Sequence, residues 1–236
     1  MDKIYVSIGG GDLRTKTTLK IDSYVAALAK KHAQGKRAYG LFIGTASHDF
    51  MPYFNTFRKT FTGEFDIKAD CALTVYGEMS YEKIAAKFEK ADFLYIGGGD
   101  TVFMLDTWKK TGLYDLVLNA YERGVIVSGL SAGGICFFET MYTDSSFVTG
   151  GDSYSFYPGM NVIKGTMCPH YDDRKPDFNA ALLNSEINSS YAVEADSALV
   201  FKNGELVGSL SSGGKSYILR KNLGTIETFE ISPIFE

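Results

Sequence analysis

A sharp strand-to-helix turn near the middle of the chain constrains the fold more than any other feature. Val125 to Val127 is a short apolar, β-branched run typical of a buried parallel strand, and Ile135 to Phe138 is predicted to begin a helix. Between them, Gly129-Leu-Ser-Ala-Gly133 matches the G-x-S-x-G pattern of a nucleophile elbow. A Cβ at either glycine would collide with the strand or the helix, and strained backbone angles would expose the hydroxyl of Ser131. The stretch predicts an α/β protein with Ser131 as nucleophile; the alternative is a glycine-rich turn with an idle serine.

Strands and helices alternate through the first half of the chain. The predicted strands are 3–8, 37–45, 67–76 and 93–96, and the predicted helices are 18–33, 49–61, 80–90, 102–110 and 114–122. This alternation implies a mostly parallel, doubly wound sheet with helices on both faces, whose sites form beyond the carboxyl ends of the strands. Gly9–Asp12, Gly97–Thr101 and Gly129–Gly133 all fall there, so we expect them to lie together.

The pattern changes after Thr140. The predictions there are a loop over 149–159, extended pieces at 161–164 and 166–169, a helix over 176–188 that begins at Pro176, and strands at 191–193, 198–202, 205–209, 216–219 and 225–231. Asn203-Gly204 is a strong hairpin signal, so the last strands should be antiparallel. No linker or repeat interrupts the chain, and we expect a single domain over residues 1–236.

Composition excludes several classes of protein. The chain has 236 residues, a net charge of −4 and no cluster of Lys and Arg, which argues against a nucleic-acid partner. Its three cysteines lack CxxC spacing and indicate neither a disulfide framework nor a metal site. No apolar run approaches the ~20 residues of a membrane span. We expect a cytoplasmic protein without cofactor, metal or membrane partner, in which an edge strand could pair two copies as a homodimer.

A serine nucleophile needs a general base, and the chain offers three histidines. His32 falls in the last turn of a predicted helix, where a cation suits the helix dipole, so a structural role is expected. His48 follows the second strand, where a loop or capping role is the simpler interpretation. His170 follows an extended piece and Pro169, which restricts the approach of the chain. His170 is the best candidate for the base, against a satisfied structural histidine.

Two carboxylates compete to orient that imidazole. Glu194 ends a predicted strand, and Asp144 lies in the loop after the elbow. An oxyanion hole needs two amides, and Ala132 next to the nucleophile could supply one. The second could come from Gly97–Gly99, for which the alternative is a phosphate-binding turn; that turn lacks the Lys-Ser/Thr of a P-loop.

Three motifs together resemble those of a known family. Gly97-Gly-Gly-Asp-Thr101 resembles GGGNT with Asp100 in place of the usual Asn, Gly129-Leu-Ser-Ala-Gly133 resembles G-x-S-A-G, and Pro169-His-Tyr171 resembles P-H-F. The family is peptidase E, the aspartyl dipeptidase family of serine peptidases, which also includes cyanophycinases. The resemblance extends from Tyr5 to about Val207. It implies a fold related to class I glutamine amidotransferases, with serine in place of the cysteine nucleophile.

The resemblance also implies roles for individual residues. Ser131 matches the nucleophile, His170 the base, and Gly99 an oxyanion donor that acts with Ala132. Glu194 falls where the family has its glutamate and is slightly favoured over Asp144, which falls near an aspartate also considered for that role. The expected activity is hydrolysis of small peptides through an acyl-enzyme. The alternatives are a cyanophycinase-like hydrolase of branched-peptide or non-peptide amides, and an inactive binding module.

Substrate specificity is where the chain departs from the family. The aspartyl dipeptidases have a longer, arginine-containing segment after the histidine, whereas the segment here is short. Arg174 could grip a substrate carboxylate through a bidentate pair, and Tyr171 is the second expected substrate contact. Asp172 and Asp173 instead favour a cationic or free-amino-terminal substrate, so strict specificity for N-terminal aspartate is not expected.

Overall fold

The computed structural model of the chain describes residues 1–148 and 150–234. The strands are β1 (Ile4–Ile8), β2 (Tyr39–Ile43), β3 (Lys68–Ala72), β4 (Phe93–Ile96), β5 (Ile126–Leu130), β6 (Phe138–Thr143), β7 (Ser155–Pro158), β8 (Ile163–Cys168), β9 (Ser189–Val193), β10 (Ser197–Lys202), β11 (Glu205–Ser211), β12 (Ser216–Asn222) and β13 (Thr225–Glu230). The helices are α1 (Leu19–His32), α2 (Met51–Phe65), α3 (Tyr81–Phe88), α4 (Thr101–Thr111), α5 (Leu113–Glu122), α6 (Ala132–Ile135), α7 (Ser145–Val148) and α8 (Tyr171–Leu183).

The first sheet carries the predicted parallel core. Its strand order is β11-β10-β1-β5-β4-β2-β3, and the five strands from β1 to β3 in that order run parallel. Strands β10 and β11 are added antiparallel to the edge at β1. They are joined by Asn203-Gly204, and both residues have positive φ as a tight hairpin requires. The predicted α/β architecture, with a mostly parallel sheet and antiparallel strands towards the C-terminus, is confirmed.

Helices cover both faces of the first sheet. On one face, α1 and α2 bury Val25, Phe57 and Phe61 against the strands. On the other face, α3 and α4 bury Phe88 and Trp108, and α5 packs beside them. Each of these side chains removes apolar surface from water at about 25 cal/mol per Å², which is the main stabilisation of such a layered fold.

A second sheet, of order β13-β12-β9-β8-β6-β7, shares the face covered by α3, α4 and α5. Strands β6, β8 and β9 are parallel, and β7, β12 and β13 are antiparallel additions. One side of this sheet packs into the core through Phe138, Met167 and Val193, and α8 covers the other side through Phe178. Ser131 therefore belongs to the first sheet, whereas the region of His170 belongs to the second.

Three local predictions in the second half are wrong. The helix after the elbow ends at Ile135, and Phe138 begins β6 instead of continuing that helix. The predicted loop over 149–159 contains β7, with Thr149 outside the described residues. The last helix spans Tyr171–Leu183, so Pro176 lies inside it instead of at its start. An acidic first turn favours the earlier start, because carboxylates at a helix N-terminus offset the helix dipole.

Among the described residues, no helix has the length and apolar character that crossing a bilayer requires.

Candidate active site

Ser131 sits at the predicted strained turn. Its backbone has φ 53° and ψ −109°, outside the regions that ordinary residues prefer, and its amide donates to the carbonyl of Ile8 at 2.9 Å. A Cβ built on Gly129 would lie 2.0 Å from the carbonyl oxygen of Gly133, and one on Gly133 would lie 2.1 Å from that of Ile96. Both glycines are therefore required by close backbone approach, as the sequence indicated.

His170 lies directly beside the nucleophile. Its Nε2 is 2.9 Å from Oγ of Ser131. The residue follows β8 in a left-handed conformation, φ 50° and ψ 43°, and its amide donates to the carbonyl of Gly9 at 3.1 Å. A left-handed turn at this point aims the ring back towards the first sheet instead of along α8.

The surroundings of His170 favour the neutral imidazole. Burial lowers its pKa from the usual 6.5, and the positive charge of Arg174 lowers it further. The carboxylates of Asp144, Asp172 and Asp173 act in the opposite direction but do not outweigh these two effects. At neutral pH the ring can therefore accept a proton from a hydroxyl.

The glycine turn after β4 lies against the nucleophile. A Cβ built on Gly98 would lie 3.3 Å from Cβ of Ser131 and from the carbonyl oxygen of Leu130, so little room remains between the turn and the serine. Gly99 has φ 139°, and a Cβ there would lie 2.2 Å from the carbonyl oxygen of Ala46. Among the described residues, no acceptor pairs with the amides of Gly99 and Ala132. The two predicted oxyanion donors are thus unpaired within this part of the chain.

Neither predicted orienting carboxylate touches the imidazole. Glu194 accepts hydrogen bonds from the hydroxyl of Tyr217 and the amide of Lys215, each at 2.9 Å. Asp144 accepts from Nη2 of Arg174 at 2.8 Å. Within the described part of the chain, no carboxylate lies within hydrogen-bonding reach of either ring nitrogen of His170.

The two predicted substrate contacts are engaged elsewhere. The Tyr171 ring is buried against Phe178 and Tyr217, and its hydroxyl donates to Asn179 at 3.1 Å. The structure places this ring in the core of the second sheet and not in the cleft.

Arg174 is likewise buried. Its guanidinium pairs with Asp144, donates to the carbonyl of Tyr142 at 3.3 Å and lies over the ring of Tyr154 at 4.8 Å. The guanidinium is thus already occupied by contacts within the protein and is poorly placed to bind a substrate carboxylate.

The remaining acids and histidines are away from the nucleophile. Asp172 is exposed and accepts the amide of Ala195 at 3.0 Å, in the first turn of α8. Nδ1 of His32 lies 2.9 Å from Oδ1 of Asp92. His48 packs its ring on Phe103 at 4.1 Å. None of these side chains hydrogen-bonds to Ser131.

Two clefts open on either side of Ser131. One, of about 500 Å³, is lined by Leu13, Phe50, Tyr53 and His170, and the other, of about 430 Å³, by Asp100, Asp144, Phe147 and Tyr154. Ser131 and Gly99 line both. A scissile bond at Ser131 would thus have a separate recess on each side.

Sequence reasoning missed Tyr53. It lies on α2 together with Phe57 and Phe61, which are fully buried in the core. Tyr53 instead lines the cleft, and its hydroxyl accepts the amide of Gly98 at 3.3 Å. The two buried aromatic residues of this helix are phenylalanines, so the hydroxyl of Tyr53 was the sequence signal for a polar role.

Comparison with known proteins identifies the family of the chain. The model of Peptidase family S51 matches residues 5–208. The chain belongs to Peptidase family S51. It is therefore a peptidase, and the resemblance to peptidase E seen in the motifs is confirmed.

Individual relatives give the same result. The chain is 32% identical over 225 residues to the uncharacterised peptidase YgaJ of Bacillus subtilis strain 168, covering 92% of this chain and 91% of the relative. It is 26% identical over 132 residues to Peptidase E of Streptomyces coelicolor, covering 54% of this chain and 52% of that protein. In fold it is similar to the crystal structure of a peptidase from an acI-B1 actinobacterium, with TM-score 0.75, 15% identity and coverage of 99% and 96%.

Proposed function

We propose that this S51 family member is a serine peptidase that hydrolyses small peptides through an acyl-enzyme, with Ser131 as nucleophile and His170 as general base. The observation that carries the proposal is the 2.9 Å distance between Oγ of Ser131 and Nε2 of His170, at a serine whose backbone is strained. Such a distance is within the reach that proton transfer requires.

The reaction proceeds in two displacements. Oγ of Ser131 gives its proton to Nε2 of His170 and bonds to the scissile carbonyl carbon, whose π electrons move to the oxygen. The tetrahedral intermediate collapses, the C–N bond breaks, and the imidazolium protonates the leaving amine. Water then attacks the acyl-serine with His170 again as base, which releases the acid and restores the serine.

The unpaired amides of Gly99 and Ala132 support the assignment of the oxyanion hole. Charge develops on the carbonyl oxygen only during attack, and donors fixed in advance stabilise it without reorganisation. Gly99 and Ser131 line the same two clefts, which supports Gly99 as one of the donors.

Glu194 is the proposed orienting carboxylate. Nδ1 of His170 faces Gly10, where a Cβ would lie 2.5 Å from it, and a Cβ on Gly9 would lie 2.5 Å from the carbonyl oxygen of Glu194. Glu194 thus borders the same glycine segment as Nδ1, whereas Asp144 is committed to Arg174. The proposal requires the Glu194 side chain to turn from Tyr217 towards the ring.

The two clefts support the proposal of a short peptide substrate. The part of the substrate in the smaller cleft would carry a free amino group or a cationic side chain. Asp100 and Asp144 line the smaller cleft beside the nucleophile. One oxygen of Asp100 caps α4 by accepting two amides at 3.1 Å, and its other oxygen has no hydrogen-bond donor among the described residues. Because the charge of Asp144 is offset by Arg174, the free oxygen of Asp100 is the main feature that favours an ammonium over a carboxylate.

The test compares Ser131→Ala with Ser128→Ala, a control that removes a buried hydroxyl from the same region of chain. Ser128 donates to the carbonyl of Leu94 at 3.3 Å and touches neither cleft. We expect Ser131→Ala to abolish both peptide hydrolysis and labelling by a fluorophosphonate while the circular dichroism spectrum is retained. Ser128→Ala should keep both reactions. A near-normal peptidase rate in Ser131→Ala would refute the assignment.

The same assay separates the alternatives. Acidic, basic and neutral dipeptides are offered alongside a β-linked aspartyl-arginine peptide, a branched amide. Hydrolysis of the branched amide alone would identify a cyanophycinase-like enzyme. A wild-type protein that neither hydrolyses any of them nor reacts with the fluorophosphonate would be a binding module.

A further inference from the structure

The turn after β4 consists of Gly97–Gly99 and Asp100, and three of its four amides donate hydrogen bonds within the protein. The amide of Gly97 donates to the carbonyl of Ile43 in β2 at 3.0 Å. The amide of Asp100 donates to the carbonyl of Ala46 in the 3₁₀ turn Thr45–Ser47 at 2.9 Å. The amide of Gly98 donates to the hydroxyl of Tyr53 at 3.3 Å. The amide of Gly99, between these anchored positions, has no acceptor among the described residues.

The side-chain anchor is itself fixed. The Tyr53 ring meets the edge of Phe42 with centroids 5.0 Å apart, and a Cβ on Gly97 would lie 2.9 Å from its ring. The ring thus fills the space that a side chain at position 97 would occupy. Packing on both sides leaves the phenol oxygen little freedom relative to the turn.

We infer that Tyr53 is a positioning residue for this enzyme: its hydroxyl fixes the Gly97–Gly98 peptide so that the next amide, Gly99 N–H, stays available to the oxyanion. The inference rests on the proposed function, because it assigns Tyr53 a part in the same oxyanion hole. Tyr53 acts through the turn and need not touch the substrate.

The need for such an anchor follows from the composition of the turn. Consecutive glycines have wide conformational freedom, so nothing in Gly97–Gly99 itself holds one peptide orientation. An oxyanion donor contributes most when its direction is set before the reaction begins. Without the phenol, rotation of the Gly97–Gly98 peptide would carry the Gly99 amide with it.

Tyr95 supplies a matched control. It lies on β4, is fully buried and stacks on the same Phe42 ring, with centroids 6.2 Å apart. Its hydroxyl has no hydrogen-bond partner within the described part of the chain. Tyr95→Phe therefore removes the same atom from the same aromatic cluster without touching the turn.

The experiment measures three quantities for wild type, Tyr53→Phe and Tyr95→Phe. These are kcat and KM for a peptide substrate, the second-order rate of fluorophosphonate labelling, and the Ki of a peptide aldehyde that forms a tetrahedral adduct with serine. Removing an oxyanion donor outright lowers kcat by about 10² to 10³, so loosening one should lower it about tenfold. We expect Tyr53→Phe to lose about tenfold in kcat and in labelling rate and to raise the aldehyde Ki by a similar factor, with KM changed less than about twofold.

The outcomes are distinguishable. Tyr95→Phe should match the wild type in all three quantities, and equality of Tyr53→Phe with it would overturn the inference while leaving the proposed function intact. A lower melting temperature of Tyr53→Phe with unchanged kcat per folded molecule would show a merely structural role and would also overturn it. A wild-type protein inert to substrate, probe and aldehyde alike would refute the proposed function itself and the inference with it.

Discussion

Removing the charge of Asp144 should lower stability without stopping catalysis. Asp144 pairs with Arg174 at 2.8 Å, and the two side chains are 47% and 6% exposed. Breaking a fully buried pair costs about 3–5 kcal/mol, whereas exposed pairs contribute about 0–1 kcal/mol. With one partner half exposed, and with the amide oxygen of an asparagine still able to accept from Arg174, Asp144→Asn should cost about 1–2 kcal/mol.

That free energy corresponds to a measurable shift. For a chain of this size, each kcal/mol lowers the melting temperature by about 2–4 °C, so a loss of about 2–8 °C is expected. The control is Glu64→Gln, which removes a charge from the pair of Glu64 and Lys16, whose side chains are 40% and 48% exposed. That pair is open to solvent at both ends, and its loss should move the melting temperature by less than about 2 °C.

The kinetic half of the assay decides the role of Asp144. Its carboxylate raises the pKa of His170, so its removal lowers that pKa further and leaves the ring neutral at pH 7. We therefore expect kcat at pH 7 within about threefold of wild type, whereas loss of an orienting carboxylate lowers kcat about 10⁴-fold. A loss of that size at an unchanged melting temperature would identify Asp144 as the orienter. An unchanged melting temperature with normal kcat would refute the stabilising role of the pair.

Three further predictions concern the imidazole. The pKa of His170 is lowered, so kcat/KM should rise with pH to a plateau, with its midpoint below 6.5 in the free enzyme; a midpoint above 6.5 in a pH–rate profile would contradict the burial argument. Because its pKa is lower in the native state than in the unfolded chain, His170 binds more protons in the unfolded chain near and below pH 6.5. The free energy of unfolding should therefore fall as the pH is lowered through this range. Glu194→Gln should lower kcat about 10⁴-fold in steady-state assays if Glu194 turns to orient the ring; a near-normal kcat there, together with one in Asp144→Asn, would exclude a three-residue catalytic unit.

The first half of the fold follows from local sequence signals. Alternating apolar runs and amphipathic segments predict β1 to β5 and their helices, because parallel strands buried on both faces are recognisable from composition alone. Gly129 and Gly133 predict the elbow for the same reason: the steric demand falls on residues within one turn of Ser131. Such signals depend on neighbours in sequence and need no knowledge of the rest of the chain.

The second half depends on distant contacts and could not be predicted as far. Short strands such as Ser155–Pro158 carry little pattern of their own and are specified by pairing with β6. Pro176 suggested a helix start, yet loss of one amide inside α8 is offset by packing of residues such as Phe178. The side-chain directions of Glu194 and Arg174 depend on Tyr217 and Tyr154, which only the folded structure brings near.

The position of His170 is set by main-chain contacts between the two sheets. Its amide donates to the carbonyl of Gly9, and the amide of Asp196 donates to that of Gly10, both at 3.1 Å. These bonds attach the segment that follows β8 and the residue that precedes β10 to the segment after β1. The strand next to β1 is β5, which leads directly into Ser131. A side chain at Gly10 would occupy the place of the imidazole. Nε2 therefore reaches Ser131 because the sheets are joined at these glycines, even though no carboxylate among the described residues holds the ring from its other nitrogen.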